Sequence, residues 1–385
     1  MLPEGALDIV ILTSVLSLIG VFLGDVRGVT HPGSRPIVGF NRYDPDRMIR
    51  VSVVLTVAGF LIFQIGYSML SKEYLDNLGT QVSGPITILH FFQNMQRYGL
   101  ALCLLCYFKY RSPVALMTLV AFAISHVFSF MLYARRGTTA DLVFILILGL
   151  YFGRKITLPA WLMGLVFTAG ALTSNSIGAL RNREDVSFIE RLESADVFGN
   201  FANTLEHGGY ECLNAAVISW AVEFEGDYDY GTHYWTWFVH SYFPGQIFGY
   251  DLKRALMLPE RNHALEVCGY RAPTGATATG MCDAFRSFWY FGWIKFYVIG
   301  YIMGRWWNRA NRGDVWSQLA YMAMMSSALH SISHGTHWIL NNWVHMFIFS
   351  YFPLRWAQLP QGSQLVTGLA PAAGPQSRPV SRPGF

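Results

Sequence analysis

The feature that most constrains this chain is a series of apolar stretches, each near the length of a bilayer-crossing helix. They lie at 6–24, 51–70, 86–109, 113–133, 139–153, 158–176, 284–304, 315–333 and 337–355. A span takes about 20 apolar residues, with roughly 17–25 tolerated. Helices are the form that fits, because hydrocarbon offers no partner to a free backbone N–H or C=O. The stretch 139–153 is short and draws on its flanks to cross. The first stretch, with Asp8 near its start, lacks a basic leader and a small-residue cleavage site, so it reads as a span and not as a signal peptide. The expected fold is an all-α polytopic membrane protein with about 9–11 transmembrane helices.

Four regions follow. Residues 1–176 hold the first six helices, 177–283 one large loop and 284–355 three more helices. Residues 356–385, rich in Pro, Gly, Ser and Gln, read as a disordered tail. No internal repeat is visible, and the two halves differ in loop size, which argues against an inverted-repeat transporter.

Charge gives an orientation. Only 14% of residues are charged and 52% are hydrophobic, against about 25% charged in soluble domains. A disordered chain is thereby excluded and an ordinary soluble enzyme disfavoured. The net charge of +4 is unevenly spread: 177–283 carries 15 acidic and 7 basic residues, a net −8, leaving +12 elsewhere. The basic excess falls in short loops: Arg27, Arg35, Arg42, Arg47 and Arg50; Lys109 and Arg111; Arg154 and Lys155; Arg305, Arg309 and Arg312. With nine alternating spans all four sets share one face, which the positive-inside rule assigns to the cytoplasm. The acidic loop and the amino terminus then face outward. No basic run or nucleic-acid-binding module is present, so no nucleic-acid partner is expected.

Cysteine use is modest. Cys103 and Cys106 lie within a span and read as inert packing residues. Cys268 and Cys282 either bridge, if the outer side is oxidising, or stay as thiols with Cys212.

A hundred-residue excursion is not needed to join two helices, and long loops are usually functional or disordered. This one is rich in aromatics, among them Tyr230, Tyr234, Trp235 and Trp237. Short helices are expected over 186–206 and 209–224. The aromatic rings either form an interfacial belt or stack on sugar faces. Outward-facing cations recur: Arg135 and Arg136 in a tight turn, Arg181 after the sixth span, then Lys253, Arg254, Arg261 and Arg271, with Arg286 at the mouth of 284–304. Arginine forks match phosphate oxygens bidentately, so these clusters are read as a phosphate-binding rim. The competing readings are headgroup anchoring, pairing of Arg135 or Arg136 with Asp141, and salt bridges within the acidic loop.

The third span is unusually polar, with His90, Gln93, Asn94, Gln96 and Arg97. Such groups serve a water-filled cavity or glue helices together. At the end of span eight, His330, His334 and His337 follow one another. The His-x3-His spacing puts two imidazoles on one face, but no HExxH and no nearby acid accompanies it. Hydrogen bonding and proton transfer are expected there, and no metal. A P-loop, a GxSxG elbow and zinc-finger spacing are all absent. Asp227-Tyr228-Asp229 spells a sugar-nucleotide motif, but on the outer side, where nucleotide sugars are not expected.

Three stretches resemble the Wzy-type oligosaccharide repeat-unit polymerases of bacterial inner membranes. They are the Arg135-Arg136-Gly137 turn with its following span, Tyr230-Gly231-Thr232-His233-Tyr234 with Tyr242-Phe243-Pro244 and Lys253, and Thr274 to Gly280 ahead of Asp283 and FGWIKFYVIGYIMG. The likeness covers about residues 130–310. It departs from the family pattern at Gly245, where an Arg is expected after the proline, so the basic partner falls to Lys253 or Arg254.

The resemblance implies a GT-C type helix bundle with a periplasmic catalytic face. It implies a glycosyltransferase that polymerises undecaprenyl-pyrophosphate-linked repeat units and releases undecaprenyl pyrophosphate, with no cofactor. Partners would be the lipid-linked donor and acceptor glycans and membrane lipids, with a chain-length regulator as a further candidate. Arg135, Arg136, Arg181, Lys253, Arg254 and Asp283 are the catalytic candidates. Tyr230, Tyr234, Trp235, Trp237, Arg271, Arg286, Arg97 and His337 are the substrate-binding ones. Asp141, Glu184, Asp283, His233 and His337 compete as proton acceptor. A ligase of the same class, or a transporter or flippase for an anionic lipid-linked solute, are the alternatives.

Overall fold

The computed structural model describes residues 2–360, except 32, 34, 70–84, 134–135, 166–167, 169–195, 197, 200, 203–205, 207–209 and 273–276. Among these every element of regular structure is a helix, with no strand and one isolated bridge between Tyr43 and Gln358. The helices are α1 (Ala6–Thr30), α2 (Pro45–Ser68), α3 (Pro85–Gln93), α4 (Met95–Tyr110), α5 (Pro113–Tyr133), α6 (Arg136–Arg154), α7 (Tyr210–Glu225) and α8 (Thr232–Tyr242). Then come α9 (Gly245–Phe248), α10 (Tyr250–Leu256), α11 (His263–Cys268), α12 (Gly280–Phe288), α13 (Trp293–Asn311), α14 (Val315–Ser333), α15 (His337–Met346) and α16 (Phe352–Ala357).

Two of the described helical segments are long and apolar enough to cross a membrane, Ala6–Thr30 and Pro45–Gly66. Three apolar stretches are interrupted. Asn94 separates α3 from α4, a 3-10 turn at Trp289–Gly292 separates α12 from α13, and a π turn at Phe347–Tyr351 joins α15 to α16. The stretch 158–176 and the expected helix over 186–206 lie largely outside the described residues. The expected helix over 209–224 is α7.

The most extensive helix–helix contact joins α1 to α13 through glycines. Gly20, Gly24 and Gly28 recur every four residues on one face of α1. A Cβ on Gly20 would lie 2.7 Å from the Trp293 carbonyl oxygen, and one on Gly24 or Gly28 would run into the carbonyl of Tyr297 or Tyr301. On the other side, Gly300 and Gly304 of α13 meet the Val21 and Asp25 carbonyls in the same way. Small residues at this spacing let two backbones approach, the usual route to helix association where the surroundings are as apolar as the side chains.

One end of the bundle gathers the basic loops. Asp314 caps α14 by accepting from Ser317 N at 3.1 Å, and it accepts from Val38 N at 3.0 Å. Arg309, buried, donates to Asp314 at 3.1 Å and to the carbonyls of Arg35 and Pro36 at 2.8 and 2.9 Å. Tyr110 OH reaches Phe40 O at 3.3 Å, and Tyr151 OH reaches Asn311 at 2.9 Å. The loops that carry Arg35, Lys109, Arg154 and Arg312 thus meet at one pole. Residues 356–360, assigned to a tail by composition, are held there too: Ala357 is fully buried, and Leu359 N donates to Arg42 O at 2.9 Å. Residues 361–385 lie outside the described set.

Candidate functional site

The opposite pole centres on Asp283. Its placement begins with local sequence. Thr279 caps α12 by accepting from Cys282 N at 3.3 Å. Gly280 lets the start of α12 touch the backbone of α14, since a Cβ there would collide with the Ser331 carbonyl oxygen. The first turn of α12 is thereby pressed onto the carboxyl end of α14, and Asp283 is buried facing the α14–α15 junction.

Asp283 Oδ2 accepts from the Thr336 N–H at 3.0 Å, from Tyr234 OH at 3.2 Å and from the Thr336 hydroxyl. Lys295 Nζ stands 3.8 Å from Oδ2, and Arg286 Nη2 is 3.7 Å from Oδ1. Burial pushes the carboxyl up, but Lys295, Arg286 and the Thr336 hydrogen bond more than reverse this, so Asp283 is held well below the usual carboxylate range. It is a weak proton acceptor and a fixed negative charge. Burial and the facing Asp283 charge push the Tyr234 phenol far up, so it stays a donor.

A second layer surrounds this carboxylate. Arg286 Nε lies 2.9 Å from Asp229 Oδ2, and the Asp229 N–H donates to the Arg286 carbonyl at 3.0 Å. Asp229 Oδ1 also accepts from Gly231 N at 2.8 Å, fixing the turn that opens α8. Gly231 has φ 89°, in the left-handed region where glycine is favoured. Lys295 Nζ donates to Ser287 Oγ at 2.7 Å. His233 Nδ1 is 3.2 Å from Glu260 Oε1. Burial raises the Glu260 carboxyl, and the His233 hydrogen bond and nearby cations bring it below its ordinary value. The His337 ring lies 5.2 Å from that of His233 and 4.8 Å from that of Trp237. Ligand atoms of His233, Asp283 and His337 all lie within 4.8 Å of one another.

An apolar groove of about 550 Å³ runs to this cluster. Its walls are Phe288, Phe291, Ile294 and Val298 on one side and Ile339, Leu340 and Trp343 on the other; Lys295, Tyr234 and Thr336 also line it. A second groove of about 360 Å³, lined by Phe91, Phe238, Tyr242 and Val344, borders α15 as well.

The structure brings together five of the residues singled out by sequence, Asp283, Arg286, Tyr234, His233 and His337, with Trp237 beside them. Others are elsewhere. Arg97 is paired with Asp141 at 2.8 Å and donates to Ser327 Oγ and Asn342 Oδ1 at 3.3 and 3.4 Å. Asp141, a candidate proton acceptor, is therefore the partner of Arg97. Lys253 donates to the His240 carbonyl at 2.9 Å, and the Trp235 indole to the Leu256 carbonyl at 2.7 Å. Arg254, Arg271 and Tyr230 are exposed. Arg261 is held by Glu225, Asp227 and Glu266 at 2.8, 2.9 and 2.5 Å, the salt-bridge reading of that cluster. Arg135, Arg181 and Glu184, and the Arg136 side chain, lie outside the described residues. Cys212, Cys268 and Cys282 are free thiols.

Sequence reasoning misses Lys295, Thr336 and Asp229. A lone lysine inside FGWIKFYVIG is the signal that would have found the first, because ionisable groups within apolar spans mark functional sites. Thr336 carries no such mark. Comparison with known protein families, curated proteins and solved structures finds no match to this chain.

Proposed function

We propose that this protein is a multi-pass membrane glycosyltransferase. In this reading it passes oligosaccharide between polyprenyl-pyrophosphate carriers at the outer face of a bacterial inner membrane and releases the pyrophosphate lipid. The observation that carries the reading is the junction of an apolar groove with a buried charged cluster. A polyprenyl chain would fit the groove, and its diphosphate would meet Lys295, Tyr234 and Thr336 at the polar end, with Arg286 next to them across Asp283. There Lys295 and Arg286 would stabilise the negative charge that grows on the leaving pyrophosphate, in a poorly solvated site where such charges act strongly. Asp283 would serve as a positioning residue, holding Arg286, Lys295 and Thr336 in register. The two grooves bordering α15 suit a reaction with two lipid-linked substrates, donor and acceptor. Trp237 and Tyr234 would offer ring faces to sugar.

Gathering of the basic loops at the far pole supports an outward site, by the same positive-inside argument. The GT-C type fold, the repeat-unit polymerase activity and the undecaprenyl carrier extend the reading along the resemblance in the sequence. Pairing of Arg97 with Asp141 weighs against an anion path through the bundle, and so against the transporter alternative.

Deleting the gene and separating surface glycan on gels tests the proposal. The polymerase reading expects single-repeat products with attachment to the acceptor intact. Complete loss of attached glycan would point to the ligase, and unchanged chain lengths would rule out both.

A further inference from the structure

We infer that His233, Asp283 and His337 form a binding site for one divalent transition-metal ion. Two imidazoles and one carboxylate are a donor set suited to zinc, manganese or iron. The three come from α8, α12 and α15, so only the folded chain assembles them. Their ligand atoms lie within 4.8 Å of one another. Bonds of about 2.1 Å in tetrahedral geometry place ligand atoms roughly 3.4 Å apart, so the set would contract by about an ångström or more on binding.

Independent observations point to an occupant. Among the described residues, Asp283 Oδ1 and His337 Nδ1 are both buried with no hydrogen-bond partner, and Oδ1 faces the Arg286 guanidinium only at 3.7 Å. Buried polar atoms in folded proteins are almost always paired, and an exception calls for a missing ion or water. The second histidine already has the support a metal ligand usually has: His233 Nδ1 faces the Glu260 carboxylate at 3.2 Å, leaving Nε2 for the ion. Room for the contraction exists at Gly335, where the missing Cβ would otherwise stand 2.6 Å from His337 Cε1.

The neighbouring cations do not forbid an ion. Arg286 is already paired with Asp229, and Lys295 donates to Ser287 and to the Asp283 carbonyl. Asp229, Asp283 and Glu260 outnumber Arg286 and Lys295, so the described cluster has surplus negative charge. A divalent ion would turn that surplus positive and suit the site to an anionic oxygen. This inference departs from the sequence expectation of no metal. It also differs from the pair His330 and His334, whose rings are 5.1 Å apart but which gain no third ligand among the described residues. The inference rests on these side chains and stands apart from the glycan-transfer reading.

The test uses the full chain, purified in detergent without a polyhistidine tag, stripped with chelator and titrated with Co²⁺. Visible absorption and metal content after gel filtration are the readouts. One ion per chain is expected, with a saturable nitrogen- and oxygen-type spectrum. Zn²⁺ should displace the Co²⁺. His233→Gln and His337→Gln should each weaken uptake at least about tenfold, while the His330→Gln, His334→Gln double variant keeps it. No saturable spectrum in the unaltered protein would overturn the site, whatever the variants do. So would full uptake in both single variants, or loss confined to the double variant.

Discussion

The Lys295 ammonium lies 4.1 Å from the centre of the Tyr234 ring. One residue comes from the first turn of α13 and the other from α8, in the acidic loop. The contact joins the groove wall to that loop through a cation held against an aromatic face. It also places the ammonium where a diphosphate at the groove end would meet it.

Lys295→Met should therefore lower glycan transfer by about 10²–10³-fold, the usual cost of removing one group that stabilises developing charge. Lys295→Arg should recover part of it. Chain length on gels and turnover in proteoliposomes give the two readouts. Near-normal turnover in the methionine variant would mean that Lys295 only fills space beside Tyr234.

The glycine seam predicts a stability effect far from the site. Gly24→Leu inserts a side chain where α1 meets the Tyr297 carbonyl. Overpacking costs about 1–3 kcal/mol, and the obstacle here is backbone, so the upper part of that range is expected. Leu18→Ala on the exposed face of α1 should be close to neutral. Heat-induced loss of monodispersity in detergent measures both. Equal midpoints would mean that α1 does not dock on α13 through this seam.

Hydropathy makes much of the fold legible, because burial in an apolar medium is written in composition over 20 residues. Helices α1, α2, α5, α6 and α14 lie over stretches named from sequence alone. The breaks at Asn94 and Trp289–Gly292 are not legible that way, since each turns on a few residues that barely alter a window average. The Gly20, Gly24, Gly28 spacing is visible in the sequence, but its partner helix is not. In the site, Asp283, Arg286 and His337 are legible as polar residues near span ends, and Tyr234 as one of the aromatics of the acidic loop. Lys295 escapes a reading built on arginine, and the arrival of Thr336 at Asp283 is a tertiary fact.

Asp283 also carries a pH signature. Its carboxyl is held below the ordinary range when folded, so its charge contributes stability above the unfolded value of about 4. That contribution falls away as pH drops from there toward the folded value. Asp283→Asn should be less heat-stable than the unaltered protein at pH 7, and the gap should narrow below about pH 4. A gap that is constant from pH 7 to pH 3 would show that the carboxylate charge is not what holds Thr336, Arg286 and Lys295 together.

Arg97 supplies the sharpest test of which cations serve the substrate. Its guanidinium is 2.8 Å from Asp141, and its other hydrogen bonds go to Ala323, Ser327 and Asn342. Removing one member of a partly buried ion pair strands the other charge, at a cost below the roughly 3–5 kcal/mol of a fully buried pair, whereas replacing both with apolar groups of similar size is often neutral. Arg97→Met and Asp141→Leu should each cut the amount of folded protein in the membrane sharply, and the double variant should recover most of it. The recovered protein should still build long glycan, because a structural pair has no contact with the diphosphate. If the double variant is stable yet makes only single repeats, Arg97 belongs with Lys295 and Arg286 in binding the lipid head, and Asp141 acts to hold it ready.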